Sequence, residues 1–108
     1  MTLGAIQANG PMKMVLEVWI QGHHMSALVD SGAMGNYISP ETVNHHRLPW
    51  HEKSQPYKLY DIEGNAFGYN DGKIDSETDH LTVRIQGHTE RIHLDIMHLS
   101  EYDIVLGH

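Results

Sequence analysis

The chain has 108 residues, 40% of them apolar, and a formal net charge of −7 with histidine neutral. That size and apolar content fit one small packed domain rather than a disordered chain, and the acidity argues against direct nucleic-acid binding. The absence of cysteine excludes disulfides, thiolate zinc sites and cysteine nucleophiles, and no apolar run or charged-then-apolar leader suggests a membrane partner or export.

Residues 1–13 read as a flexible N-terminal arm, with Gly4, Gly10 and Pro11 and little periodicity, and 14–108 as one domain. From Met14 the pattern changes: Met14, Leu16, Val18 and Ile20 alternate with Val15, Glu17 and Trp19, as in a half-buried strand. Gln21-Gly22-His23 is a predicted turn, and Ser26 to Asp30 a second apolar run closed by Ser31-Gly32. Ser39-Pro40-Glu41 marks a helix start, with a cap, a proline suited to the first position and an acid at the positive end of the dipole. The helix is expected to reach about Arg47, because Pro49 stops it. Pro56 opens a predicted strand over Tyr57–Ile62, Gly64, Gly68 and Gly72 punctuate the next stretch, and Lys73–Thr78 returns as the second strand of a hairpin. Leu81, Val83 and Ile85 form one alternating strand, and Ile92, Leu94 and Ile96 another, with Gly87-His88 as the turn between them. Ile104-Val105-Leu106-Gly107 is a last buried run, so the fold class is all-β with one short helix.

Val18-Trp19-Ile20-Gln21-Gly22-His23 matches Val83-Arg84-Ile85-Gln86-Gly87-His88. Two related hairpin units can pack about a pseudo-twofold axis, and the register sets Asp30 opposite Asp95.

The chemistry centres on Asp30-Ser31-Gly32. An apolar strand delivers a carboxylate at its end, at the edge of the core, followed by a hydroxyl and a glycine that permits close backbone approach. Alone, the triad is weak: about a few per cent of chains this size contain one by chance. The competing reading is a polar turn with Asp30 as a local cap. Asp95 is set aside as a second catalytic carboxylate, because no Ser-Gly follows it and it alternates with Arg91 and His93 on a polar face.

Asp30-Ser31-Gly32-Ala33, the following Tyr37-Ile38-Ser39-Pro40-Glu41-Thr42-Val43, and Tyr102-Asp103-Ile104-Val105-Leu106-Gly107 near the end together resemble the protease domain of gypsy-type LTR retrotransposons. The separation of the motifs matches too, and the likeness runs from about Met14 to His108. It implies a retropepsin-like acid protease barrel with half a site per chain. The implied activity is that of an aspartic endopeptidase, working as a homodimer on an extended peptide or polyprotein, with two Asp30 carboxylates sharing one proton and an acidic, bell-shaped pH profile. Asp30, Ser31 and Gly32 would form the catalytic motif, with Ser31 bracing the loops across the dimer. Leu28, Ala33, Ile62, Gly64 and Val105 would contact substrate, and the hairpin from about Tyr57 to Thr78 would be the flap. No cofactor and no metal are implied, and the expected setting is cytoplasmic, including the interior of a retroelement particle.

Retroviral members carry an acid two positions after the motif glycine and a base after the closing glycine. Met34 and His108 stand there, so the corresponding salt bridge is not expected and a weaker dimer is. Two rival readings remain: an inactive dimerisation module of the same fold, and a metal binder built on the ten histidines. The second is disfavoured because His23-His24 and His45-His46 are adjacent pairs and no spaced ligand motif occurs. Trp19 and Trp50 are expected in the core or an interface.

Overall fold

A computed structural model describes residues 13–60 and 72–107. The first hairpin joins β1 (Lys13–Ile20) to β2 (His23–Asp30) in unbroken antiparallel register, from Lys13 opposite Asp30 to Ile20 opposite His23. Its two-residue turn puts Gln21 at φ 49° and Gly22 at φ 82°. Positive φ at both central residues matches the right-handed twist of the flanking strands. The alternation predicted for β1 holds, with Val18 and Ile20 buried, and Met25 and Ala27 of β2 are buried as well.

After the Asp30 turn the chain enters β3 (Tyr37–Ile38) and α1 (Pro40–His45). The Ser39 hydroxyl accepts from the Thr42 amide at 3.1 Å, and Pro40 and Glu41 fill the first turn as expected. The helix stops two residues short of Arg47, which adopts φ 52°. The Arg47 amide donates to the Asn44 carbonyl and the Leu48 amide to the Val43 carbonyl. That pair of bonds is a Schellman ending, and the buried side chains of Val43 and Leu48 complete its hydrophobic contact.

The next strand begins earlier than its sequence indicates. β4 runs Trp50–Lys58, through Pro56, rather than opening at Tyr57. Its register against β5 (Lys73–Thr78) shifts between Glu52 and Tyr57, and β4 lies at an edge of the sheet. An edge strand with an irregular stretch needs no ladder hydrogen bond from proline, so Pro56 does not end it. Trp50, expected in the core or an interface, is 53% exposed there and so is not part of this chain's core. The continuation to Ile62, with Gly64 and Gly68, lies outside the described residues.

β6 (Leu81–Ile85) and β7 (His88–Ile92) form the second hairpin, with Gln86 at φ 49° and Gly87 at φ 79°. The strand expected to run through Ile96 breaks after Ile92 and resumes as β8 (Asp95–Ile96). Buried Thr78 takes over the backbone between them. Its amide donates to the Leu94 carbonyl at 2.8 Å, and its hydroxyl accepts from the Leu94 amide at 3.0 Å. β9 (Ile104–Leu106) closes the fold.

Among the described residues, nine strands form one sheet in the order β4-β5-β8-β3-β9-β2-β1-β6-β7. Val18, Trp19 and Ile20 pair with Ile85, Arg84 and Val83. These are the repeated residues in reverse order, so the two hairpins are related by a pseudo-twofold passing between Trp19 and Arg84. Side chains of both hairpins meet β9 and α1 in one core, where Val18, Ala27, Ile38, Leu81, Leu94 and Ile104 are fully buried. The curled, mostly β architecture with one short helix is the predicted fold class.

Candidate active site

Alternation along β2 sends Ala27 and Val29 to the core and leaves Leu28 and Asp30 on the other face. β2 runs parallel to β9 with Leu28 beside Val105. Past Asp30 the chain turns tightly: the Ala33 amide donates to the Asp30 carbonyl at 3.0 Å, and the Gly32 amide to Asp30 Oδ1 at 2.9 Å. The side-chain bond aims the carboxylate and replaces a strand partner. So Asp30 does cap its own turn, and the carboxylate also faces an open cleft of about 500 Å³.

Leu28, Asp30, Gly32, Ala33 and Val105 all line that cleft, joining five of the sequence-predicted site residues. Ser31 is exposed and is not part of the lining. Ile62 and Gly64 lie outside the described residues. Leu59 and Tyr60, from the start of the expected flap, line it too, as do residues with no role assigned from sequence: Met34, Tyr37 and the segment Met97–Ser100. Tyr37 sits inside a recognised motif, but 97–100 has no periodicity that could have signalled it. A second groove of about 660 Å³ continues past Leu28, Leu99, Ser100 and Val105 toward Lys13 and Val15.

The closing motif supports this loop directly. A Cβ on Gly107 would lie 2.5 Å from the Gly35 carbonyl oxygen and 2.7 Å from that of Ala33. Only glycine permits such an approach. The Gly107 amide also donates to Asn36 Oδ1 at 3.0 Å. Asp103 secures the helix start: its carbonyl accepts from the Ser39 amide, and its carboxylate from the Thr42 hydroxyl at 3.2 Å. The two motifs recognised in the sequence are thus packed against each other.

Asp95 is not on an open polar face. Its side chain is 14% exposed, and its carboxylate accepts from Lys53 Nζ at 2.9 Å and from the Tyr57 hydroxyl. Lys53 also bonds Glu77 at 2.9 Å, and Glu77 meets His51 at 2.8 Å. The Lys53 ammonium, then the His51 ring, hold the Glu77 carboxyl below its usual range against a smaller opposing effect of burial. Burial pushes Lys53 down, but its two carboxylate partners outweigh that and its pKa is raised. Burial and the Asp95 carboxylate keep the Tyr57 phenol protonated, with its pKa raised well above normal.

Among the histidines, the rings of His23 and His46 lie 4.5 Å apart and those of His45 and His46 4.7 Å. Burial, then His23 and His45, lower the His46 pKa. Among the described residues no three His, Asp or Glu side chains are arranged to hold a metal ion.

This geometry has solved counterparts. The retroviral protease-like domain of Ddi1 from Leishmania major superposes with a TM-score of 0.57 at 16% identity, covering 88% of this chain and 71% of that one. EIAV protease, solved with the inhibitor HBY-793, gives a TM-score of 0.57 at 16% identity over 88% and 81% of the two chains. At that identity the likeness establishes the fold. The PEG10/RTL1 protease-domain family matches residues 26–108, which take in the end of β2, the Asp30 turn, the helix and the closing motif. With both motifs packed around one retropepsin-like cleft and the match spanning most of its length, the chain belongs to the PEG10/RTL1 protease-domain family, retropepsin-like domains of gypsy-retrotransposon type.

Proposed function

We propose that the protein is an aspartic endopeptidase that acts as a homodimer on extended peptide or polyprotein segments. The observation that carries this reading is that Asp30 is the one carboxylate lining the cleft among the described residues. A water-activating dyad needs two, so the second must come from another copy of the chain.

In the dimer one Asp30 is ionised and its counterpart protonated. The carboxylate takes a proton from the bridging water as the water oxygen attacks the peptide carbonyl carbon. The protonated partner gives its proton to the carbonyl oxygen, forming a neutral tetrahedral diol. Collapse returns a hydroxyl proton to one Asp30 and passes the other's proton to the leaving nitrogen. The C–N bond breaks, and the pair again holds one proton. The cleft's apolar lining, with Leu28, Met34, Met97 and Val105, would exclude water and receive substrate side chains. The β4–β5 hairpin would close over the bound peptide.

The test is cleavage of a peptide library across a dilution series, with Asp30→Asn as control. Cleavage that disappears in the control, and whose specific activity falls on dilution, is expected. Specific activity that stays flat through dimer dissociation contradicts the half-site argument. No cleavage at any concentration favours the inactive dimerisation module.

A further inference from the structure

Along β4 only Lys53 and Tyr57 are partly buried; every other residue of the strand is exposed. A regular strand turns alternate residues inward. Here the inward pair is four apart, and the register shift between Glu52 and Tyr57 lies between them. Both of these side chains end on one carboxylate, that of Asp95. The backbone attachment of the hairpin to the rest of the sheet is thin by comparison. β5 meets β8 in the single pairing of Glu77 with Asp95, supplemented by the Thr78–Leu94 bonds.

From Asp95 the contacts continue to the cleft in two directions. Its amide donates to the Asn36 carbonyl at 2.9 Å, on the segment that follows the Asp30 turn. The Tyr57 phenol sits beside that of Tyr37, a lining residue, near enough to perturb its titration, and Tyr57 is followed closely by Leu59 and Tyr60, which form the hairpin's share of the lining among the described residues. Leu59 is held in turn by its amide bond to the Gly72 carbonyl at 2.8 Å.

We propose that Asp95 is a positioning residue: through Lys53 and Tyr57 it clamps the base of the β4–β5 hairpin, and so places Leu59 and Tyr60 against the Asp30 cleft for peptide capture. The repeat counterpart of the catalytic aspartate thus carries the hairpin instead of the chemistry. The part played in capture rests on the endopeptidase reading above, but the clamp itself can be measured without any cleavage.

The experiment is hydrogen exchange on the full chain, resolved by segment, together with steady-state kinetics on a cleaved peptide. The variants are Asp95→Leu, which removes the carboxylate, and Tyr57→Phe, which removes one bond and leaves the Asp95–Lys53 pair to maintain the fold. In both, exchange over 50–58 and 73–78 is expected to accelerate by about tenfold or more, while the β1–β2 hairpin keeps its protection. KM should rise by about fivefold with kcat changed less than about twofold, because the dyad is untouched. Exchange unchanged in both variants overturns the proposal. Acceleration spread evenly over all strands in Tyr57→Phe, or a fall in kcat at constant KM, overturns it as well. A wild-type chain that cleaves nothing sinks the endopeptidase reading, while the exchange pattern still decides whether Asp95 clamps the hairpin.

Discussion

The two hairpins began from the same pattern and ended in different employment. Both turn on Gln-Gly at nearly the same positive φ, and both are followed by an aspartate at the equivalent position of the repeat. β2 runs unbroken to Asp30, whose carboxylate accepts from a nearby amide of its own turn and faces a cleft. Past β7 the strand breaks, Thr78 occupies the backbone of Leu94, and Asp95 is met by an ammonium and a phenol from another hairpin. What separates the carboxylate proposed as reactive from the structural one is which side chains the tertiary fold brings to it.

The largest expected effect tests that separation directly. Asp30→Asn should lower kcat/KM by about 10³-fold or more, since the proton acceptor is gone. Asp95→Asn should leave kcat near wild type and act mainly on KM. Comparable kcat losses in both would mean the two halves share the chemistry, and the division of labour would be wrong.

Gly107→Ala sharpens the same contrast on the stability axis. The added methyl would press on the carbonyls of Ala33 and Gly35, so a loss of about 1–3 kcal/mol is expected in urea unfolding. Gly87→Ala, at the far hairpin, meets no atom within 4 Å, so its cost is confined to the strain of φ 79°. Equal costs would remove the close approach as the reason for glycine at 107.

The Asp95 side also carries a pH dependence. The folded pKa of Glu77 is lowered from 4.5, with Lys53 the largest cause, so its contribution is full above about pH 4.5 and is lost as pH falls through the folded value. The His51 pKa is raised from 6.5 by Asp79 and then Glu77, so its contribution is full below pH 6.5 and is lost as pH rises through the raised value. Lys53, Asp95, Tyr57 and His93 also face this cluster. Hairpin protection should therefore be greatest between about pH 4.5 and 6.5, with a change of up to about 1 kcal/mol on the acid side. Hydrogen exchange of 73–78 from pH 4 to 8, normalised to β1–β2, measures it. A flat ratio would detach these ion pairs from the hairpin.

The smallest effect separates the two turns. Asparagine tolerates positive φ better than glutamine, so Gln86→Asn should stabilise by about 0.5 kcal/mol. Gln21→Asn should not, because Gln21 Oε1 accepts from the Thr82 amide at 2.9 Å and the shorter side chain loses that bond. Thermal midpoints of the two variants compare them.

Sequence by itself determined what depends on near neighbours. The apolar alternation of β1 and β6, the places of the two hairpin turns (the second one residue earlier than Gly87-His88) and the Ser39 cap are set by side-chain period, by backbone sterics and by bonds spanning a few residues. The Asp30 turn was legible for the same reason, since its bonds reach only to Gly32 and Ala33. Tertiary structure alone decided the rest. Pro56 reads as a boundary until β4 is known to be an edge strand. Ile92 to Ile96 reads as one strand until Thr78 claims the backbone of Leu94. Asp95 alternates like a surface residue, and became partly buried because Lys53 and Tyr57, 42 and 38 positions away, were folded onto it. Burial of a charge is settled by its partners, and when those partners are distant in the chain no local pattern announces them.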